Sequence, residues 1–208
     1  MTLELYAAYL AATTVVLVLP GPTIMLVVSY ALSEGRRSAW PTVLGVAAGD
    51  FVALSCSLAG LGAVLSTSAT FFTVLKWAGA AYLVWLGIRM WRSEIRIAKD
   101  QAAMPPRAAL PMAGHAFVVT ALNPKGILFF IAFLPQFVSP AAPVAPQLAL
   151  LGGTFLVLVI VNAALYALLA GSVRDAVRRP GVMRAVQRLG GSVLIGAGIL
   201  TATLRRTT

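Results

Sequence analysis

The sequence predicts an all-α polytopic membrane protein with six transmembrane helices, arranged as a 3+3 inverted repeat in which the first and fourth helices are broken. Three observations carry that expectation. The chain of 208 residues is 60% hydrophobic and only 11% charged, with a mean hydropathy of +0.91, whereas soluble domains carry about 25% charged residues. Six apolar runs follow one another, each reaching the roughly 20 residues that cross about 30 Å of hydrocarbon. The first and fourth runs are each interrupted near the middle by proline.

Run one, Leu3 to Ala31, contains Pro20-Gly21-Pro22. As one straight helix it would be about 43 Å long at 1.5 Å per residue, too long for an upright span. The prolines remove backbone donors and clash with the preceding turn, so the helix must break or kink there. Inside a bilayer the freed N–H and C=O groups have no lipid partner and must be met by other helices, by water or by a solute. Glu4, with no Lys or Arg before the run, argues for a genuine span rather than a cleaved signal peptide.

Run two, Pro41 to Leu65, carries Asp50 in Gly45-Val46-Ala47-Ala48-Gly49-Asp50, about nine residues deep. A carboxylate at that depth costs roughly 2.5–3.5 kcal/mol on insertion scales. Taking up a proton or a substrate ammonium would relieve that cost; capping a broken helix or pairing a lysine is the structural alternative. Run three, Phe71 to Met90, carries Lys76 close to its outer end, where snorkelling competes with a supporting role at the site.

Run four, Met112 to Val138, repeats the device of run one with Asn123-Pro124-Lys125. Lys125 sits near mid-span, placed to hold a substrate carboxylate or to neutralise Asp50. Runs five and six are Gln147 to Gly171 and Ala185 to Leu204; Asn162 in run five reads as a hydrogen-bonding link between helices. Interrupted helices in corresponding positions of two halves point to a transporter with its site near the membrane midplane. The candidate substrate-binding residues are therefore Pro20, Gly21, Pro22, Asn123, Pro124 and Lys125.

The formal charge of +10 falls in clusters between the runs, so it is topological and not a nucleic-acid footprint. Arg36 and Arg37, then Arg89 to Arg107, then Arg174 to Arg188 occupy alternate connections, while Ser66 to Thr70 and Ser139 to Pro146 carry no charge. The positive-inside rule places the basic connections in the cytoplasm and both termini outside. Three spans in each half put the copies in opposite orientations. Lys76, Gly79 and Gly87 align with Gln187, Gly190 and Gly198. The expected organisation is a first repeat at 1–91, a cytoplasmic linker at 92–111 and a second repeat at 112–208. The one cysteine, Cys56, makes no intramolecular disulfide, and the one histidine, His115, excludes a His-rich metal site. No cofactor, metal or enzymatic activity is expected.

These residues resemble the LysE/RhtB family of amino-acid exporters. The likeness rests on Pro20-Gly21-Pro22, Gly45, Gly49-Asp50, Lys76, Gly79, Tyr82-Leu83 and Gly87, then Asn123-Pro124-Lys125, Phe129-Phe130 and Leu134-Pro135-Gln136-Phe137, in the family's order over essentially the whole chain. It implies a bacterial inner-membrane protein that exports amino acids or close derivatives, driven by the proton gradient. Substrate, protons and the lipid bilayer are the implied partners, and a homo-oligomer is compatible with the reading. A passive channel for small polar solutes is the alternative that the same broken helices allow.

Overall fold

The computed structural model describes residues 1–65, 69–92, 108–139, 142–170, 172 and 179–203. These are helical almost throughout, with no strand among them. Run one folds as two helices, α1 (Leu3–Val18) and α2 (Pro22–Glu34), separated at residues 19–21. Run two is α3 (Ala39–Leu65) and run three α4 (Ala69–Arg92). Run four divides into α5 (Ala109–Ala121) and α6 (Pro124–Ala132), bent by 47° with the 3-10 turn that follows. Runs five and six are α7 (Val144–Leu168) and α8 (Pro180–Thr203).

Local chemistry explains the breaks. Pro22 and Pro124 each stand at the first helical position, where a missing N–H is no loss. Gly21 and Asn123 are the respective N-caps, and the Asn123 side chain accepts from the Lys125 N–H at 3.0 Å. Helix α2 runs beyond the predicted end at Ala31 to Glu34. Ser29 and Ser33 hydroxyls satisfy themselves on the carbonyls of Met25 and Ser29, which keeps these polar residues helical. Gly35, at φ +69°, ends the helix and begins a 3-10 turn at Gly35–Ser38 that carries Arg36 and Arg37.

Pro22–Gly60 and Val144–Leu168 are long and apolar enough to cross a membrane, and the bent pair α5/α6 with its 3-10 extension adds a third such span if counted as one. Leu44, Phe51, Val157 and Leu165 are each more than half exposed. Such an outer surface suits lipid. Inside, Tyr9, Phe129, Phe130, Phe133, Phe137 and Phe155 stack and tilt against one another and join α1, α6 and α7. Lipid removes most of the hydrophobic drive between helices, so such packing and interhelical hydrogen bonds hold the bundle.

Helix directions follow from the contacts. The Tyr6 and Thr154 hydroxyls share a 2.9 Å hydrogen bond, the Tyr9 hydroxyl donates to Leu151 O, Asn162 to Leu17 O and Tyr166 to Val18 O, all at sequence offsets of 142–148. Helices α1 and α7 therefore run side by side in the same direction. Gly45 lies against Ala113 and Ala116 and Gly49 against Phe117 and Thr120, so α3 and α5 are also parallel. Gly87 meets Gly191 and Ile195 while Trp91 donates to Arg188 O at 2.8 Å, which makes α4 and α8 antiparallel.

Candidate functional site

The two breaks face one another across one cavity. Its polar lining is Thr23, Asp50, Asn123, Lys125 and Asn162, and its apolar wall includes Ile24, Val46, Phe129, Phe155 and Val159. The volume is about 70 Å³, room for several waters at roughly 10–15 Å³ each and about half the ~150 Å³ of a cavity known to admit benzene. An amino acid the size of leucine enters only if the walls move apart.

Asp50 owes its place to the two glycines before it. A Cβ on Gly49 would lie 2.7 Å from Phe117 O and 2.8 Å from Thr120 Cβ, so only glycine lets α3 lie this close to the last turn of α5. One residue on, Asp50 reaches past the end of α5 to α6, its Oδ1 3.7 Å from where a Cβ on Gly126 would stand. The side chain is 8% exposed and makes no hydrogen bond or ion pair among the described residues. The first turn of α6, the positive end of the helix dipole, lies beside the carboxylate.

Lys125 does not pair with Asp50, one of the two roles its position suggested. Its ammonium donates instead to Val16 O at 3.2 Å and Leu19 O at 3.4 Å, capping the negative end of α1. The Lys125 stem and ammonium pack beside Gly21, where a Cβ would stand 3.8 Å from both Cδ and Nζ, an ordinary van der Waals contact. An ammonium has three donors, so one N–H of Lys125 is left for the cavity. The second break is also tied to the first through Asn123, whose Nδ2 donates to Thr23 Oγ1 at 3.2 Å.

Of the residues expected at the breaks, Gly21, Asn123 and Lys125 line the cavity together with Asp50, while Pro20, Pro22 and Pro124 shape the breaks beside it without lining it. Lys76 belongs to α4, but its side chain lies outside what the structure describes, as do the basic residues Arg96, Lys99, Arg107, Arg174 and Arg178. Asn162 links α7 to α1 as its place inside a span suggested, donating to Leu17 O, and also lines the cavity; Tyr166, which no sequence signal singled out, donates to Val18 O just outside the cavity lining. His115 is bonded through Nδ1 to the buried Tyr30 hydroxyl at 2.9 Å, joining α2 to α5.

A family model described as LysE type translocator matches residues 14–204. The chain is 34% identical over 205 residues to the homoserine/homoserine lactone efflux protein of Salmonella typhimurium, with 99% of each chain covered. It is 32% identical over 209 residues to an uncharacterized membrane protein of Vibrio cholerae, covering 99% of this chain and all of the relative. The leucine efflux protein of Klebsiella pneumoniae is 28% identical over 133 residues, 64% of this chain and 63% of the relative. No solved structure matches the chain at a significant level.

Proposed function

The chain belongs to the LysE type translocator family, and we propose that it exports amino acids or close derivatives from the cytoplasm in exchange for protons. One observation carries the proposal: Asp50, a carboxylate with no hydrogen bond or ion pair among the described residues, opens on the cavity where two broken helices meet.

The efflux relative is named for both homoserine and homoserine lactone. The two molecules share a primary ammonium, while only the open form has a carboxylate. A site serving both must recognise the ammonium, and Asp50 is the group that matches it. Where the substrate has a carboxylate, the remaining N–H of Lys125 and the N-terminal turn of α2 are its complements. Asp50 holds either a proton or the ammonium, and that mutual exclusion couples the two flows. One proton crossing about 150 mV supplies roughly 3.5 kcal/mol, a gradient of a few hundred-fold.

Six spans in a 3+3 inverted repeat account for the helix directions. With each broken pair counted as one span, spans one and five run parallel, two and four parallel, and three and six antiparallel. A two-fold axis in the membrane plane exchanges the first two pairs and maps the third onto itself. Residues 1–91 and 112–208 are the repeats, 92–111 the cytoplasmic linker; the protein sits in the bacterial inner membrane with both termini outside. Lys76 supports the site from α4.

The test is efflux from cells expressing the protein and loaded with dipeptides that release a panel of amino acids, with and without a protonophore. Faster loss of one or a few amino acids that the protonophore stops is the expected result. Loss that ignores the protonophore and follows the gradient would replace the exporter with a channel.

A further inference from the structure

In an unbroken helix the carbonyls of Val16, Leu17, Val18 and Leu19 would accept from the N–H groups of residues 20–23. Pro20 and Pro22 have no N–H to give, and the chain leaves the helix at Leu19. Side chains take all four places: Lys125 bonds Val16 and Leu19, Asn162 bonds Leu17 at 3.0 Å, and the Tyr166 hydroxyl bonds Val18. The proton count is decisive. The ammonium has three protons for four carbonyls, so Lys125 alone would be consumed by the end of α1 and still leave one carbonyl bare.

We propose that Asn162 and Tyr166 are positioning residues for transport. One turn apart on the same face of α7, they take two of the four carbonyls. This fixes the end of α1 as a wall of the cavity and leaves Lys125 one donor for the substrate. Tyr166 acts wholly through α1, since it does not line the cavity. The bonds at Tyr6 and Tyr9 hold the start of α1 to the same helix, so α1 moves with α7 when the cavity opens. The inference rests on the export reading and assigns a part of its site that no sequence motif marks.

Tyr166→Phe removes one oxygen and little else. In vesicles the expected result is a KM for the exported amino acid about tenfold higher, at a maximal rate per carrier within twofold of wild type. A Tyr166 that only cements the bundle would lower the amount of folded protein and leave the KM of the surviving carriers unchanged, which overturns the inference. A second measurement needs no substrate. With Cys56→Ser and Ile24→Cys, a cavity-lining thiol reports the wall, and its alkylation by iodoacetamide should be several-fold faster with Tyr166→Phe. Equal rates overturn the inference too. A wild-type protein that moves none of the panel defeats the export reading separately, and the thiol then decides the role of Tyr166 in the wall.

Discussion

The Lys125 ammonium, from the second half of the chain, lies 3.2 Å from the carbonyl oxygen of Val16 in the first. A cation is thus held at the negative end of a half-helix, inside the bundle, where no lipid group could replace it. The same side chain both closes the break of the first half and borders the cavity.

Lys125→Met keeps the apolar stem and removes the ammonium. It leaves the carbonyls of Val16 and Leu19 without donors, each an unmet buried group worth about 1–3 kcal/mol before relaxation. We expect loss of at least about 1 kcal/mol, a fall in Tm of roughly 2–4 °C or more for a chain of this size, together with loss of export. Melting in detergent and efflux assays check the pair. Wild-type melting and wild-type export together would show that Lys125 does neither job.

Asp50→Asn should separate function from stability. Burying an unpaired carboxylate is unfavourable, so the neutral isostere should melt at or above the wild-type temperature. Uphill export should nevertheless be lost, and with it the response to external acidification, because asparagine neither takes a proton nor balances an ammonium. Efflux measured across an imposed pH gradient decides it. Retained coupling in the variant removes Asp50 from the exchange.

Both breaks were legible in the sequence because proline's missing N–H is a covalent fact that no packing repairs. Asp50 was legible because a charge in an apolar run is costly wherever the fold puts it. What Lys125 touches was not, since its ammonium had two candidate anions and the winning partners were carbonyls more than 100 positions away. Donors such as Asn162 and Tyr166 carry no charge penalty that would single them out. Helix α2 continues past Ala31, the last residue of the apolar run, to Glu34, with Ser29 and Ser33 bonding back to their own helix. The fourth run shows a further departure, a 3-10 turn at Leu134–Phe137 around Pro135. Its prolyl composition allowed such a turn, and only packing against Tyr9 and the neighbouring phenylalanines locates it.

Glycines of one helix should differ sharply in tolerance. At Gly45 a Cβ would overlap Ala113 O, so Gly45→Ala must push α3 from α5 and move Asp50 off the first turn of α6. Gly60 has nothing within 4 Å of its Cβ position, and Gly60→Ala should be neutral or stabilising by up to about 1 kcal/mol through its better helix propensity. Expression and melting of the two variants test the contrast. Equal behaviour would mean that α3 does not sit against α5 as described.

Gln147 predicts the behaviour of the connection before α7. Its Nε2 lies 2.9 Å from Ser139 O and 3.1 Å from both Ala142 O and Pro143 O, while its Oε1 accepts from Ser139 N at 2.8 Å. One buried side chain therefore ties a connection with no charge of its own to the first turn of α7. Gln147→Leu preserves approximate bulk and removes every one of these bonds, so amide hydrogen exchange in residues 138–144 should accelerate at least tenfold, the ratio given by about 1.4 kcal/mol of lost protection. Gln147→Glu keeps the acceptor for the Ser139 N–H and turns the donor into a carboxylate facing three carbonyls. It should open the connection as far as leucine does, or further. Faster exchange in the leucine variant alone would mean that the acceptor bond to Ser139 holds the connection by itself.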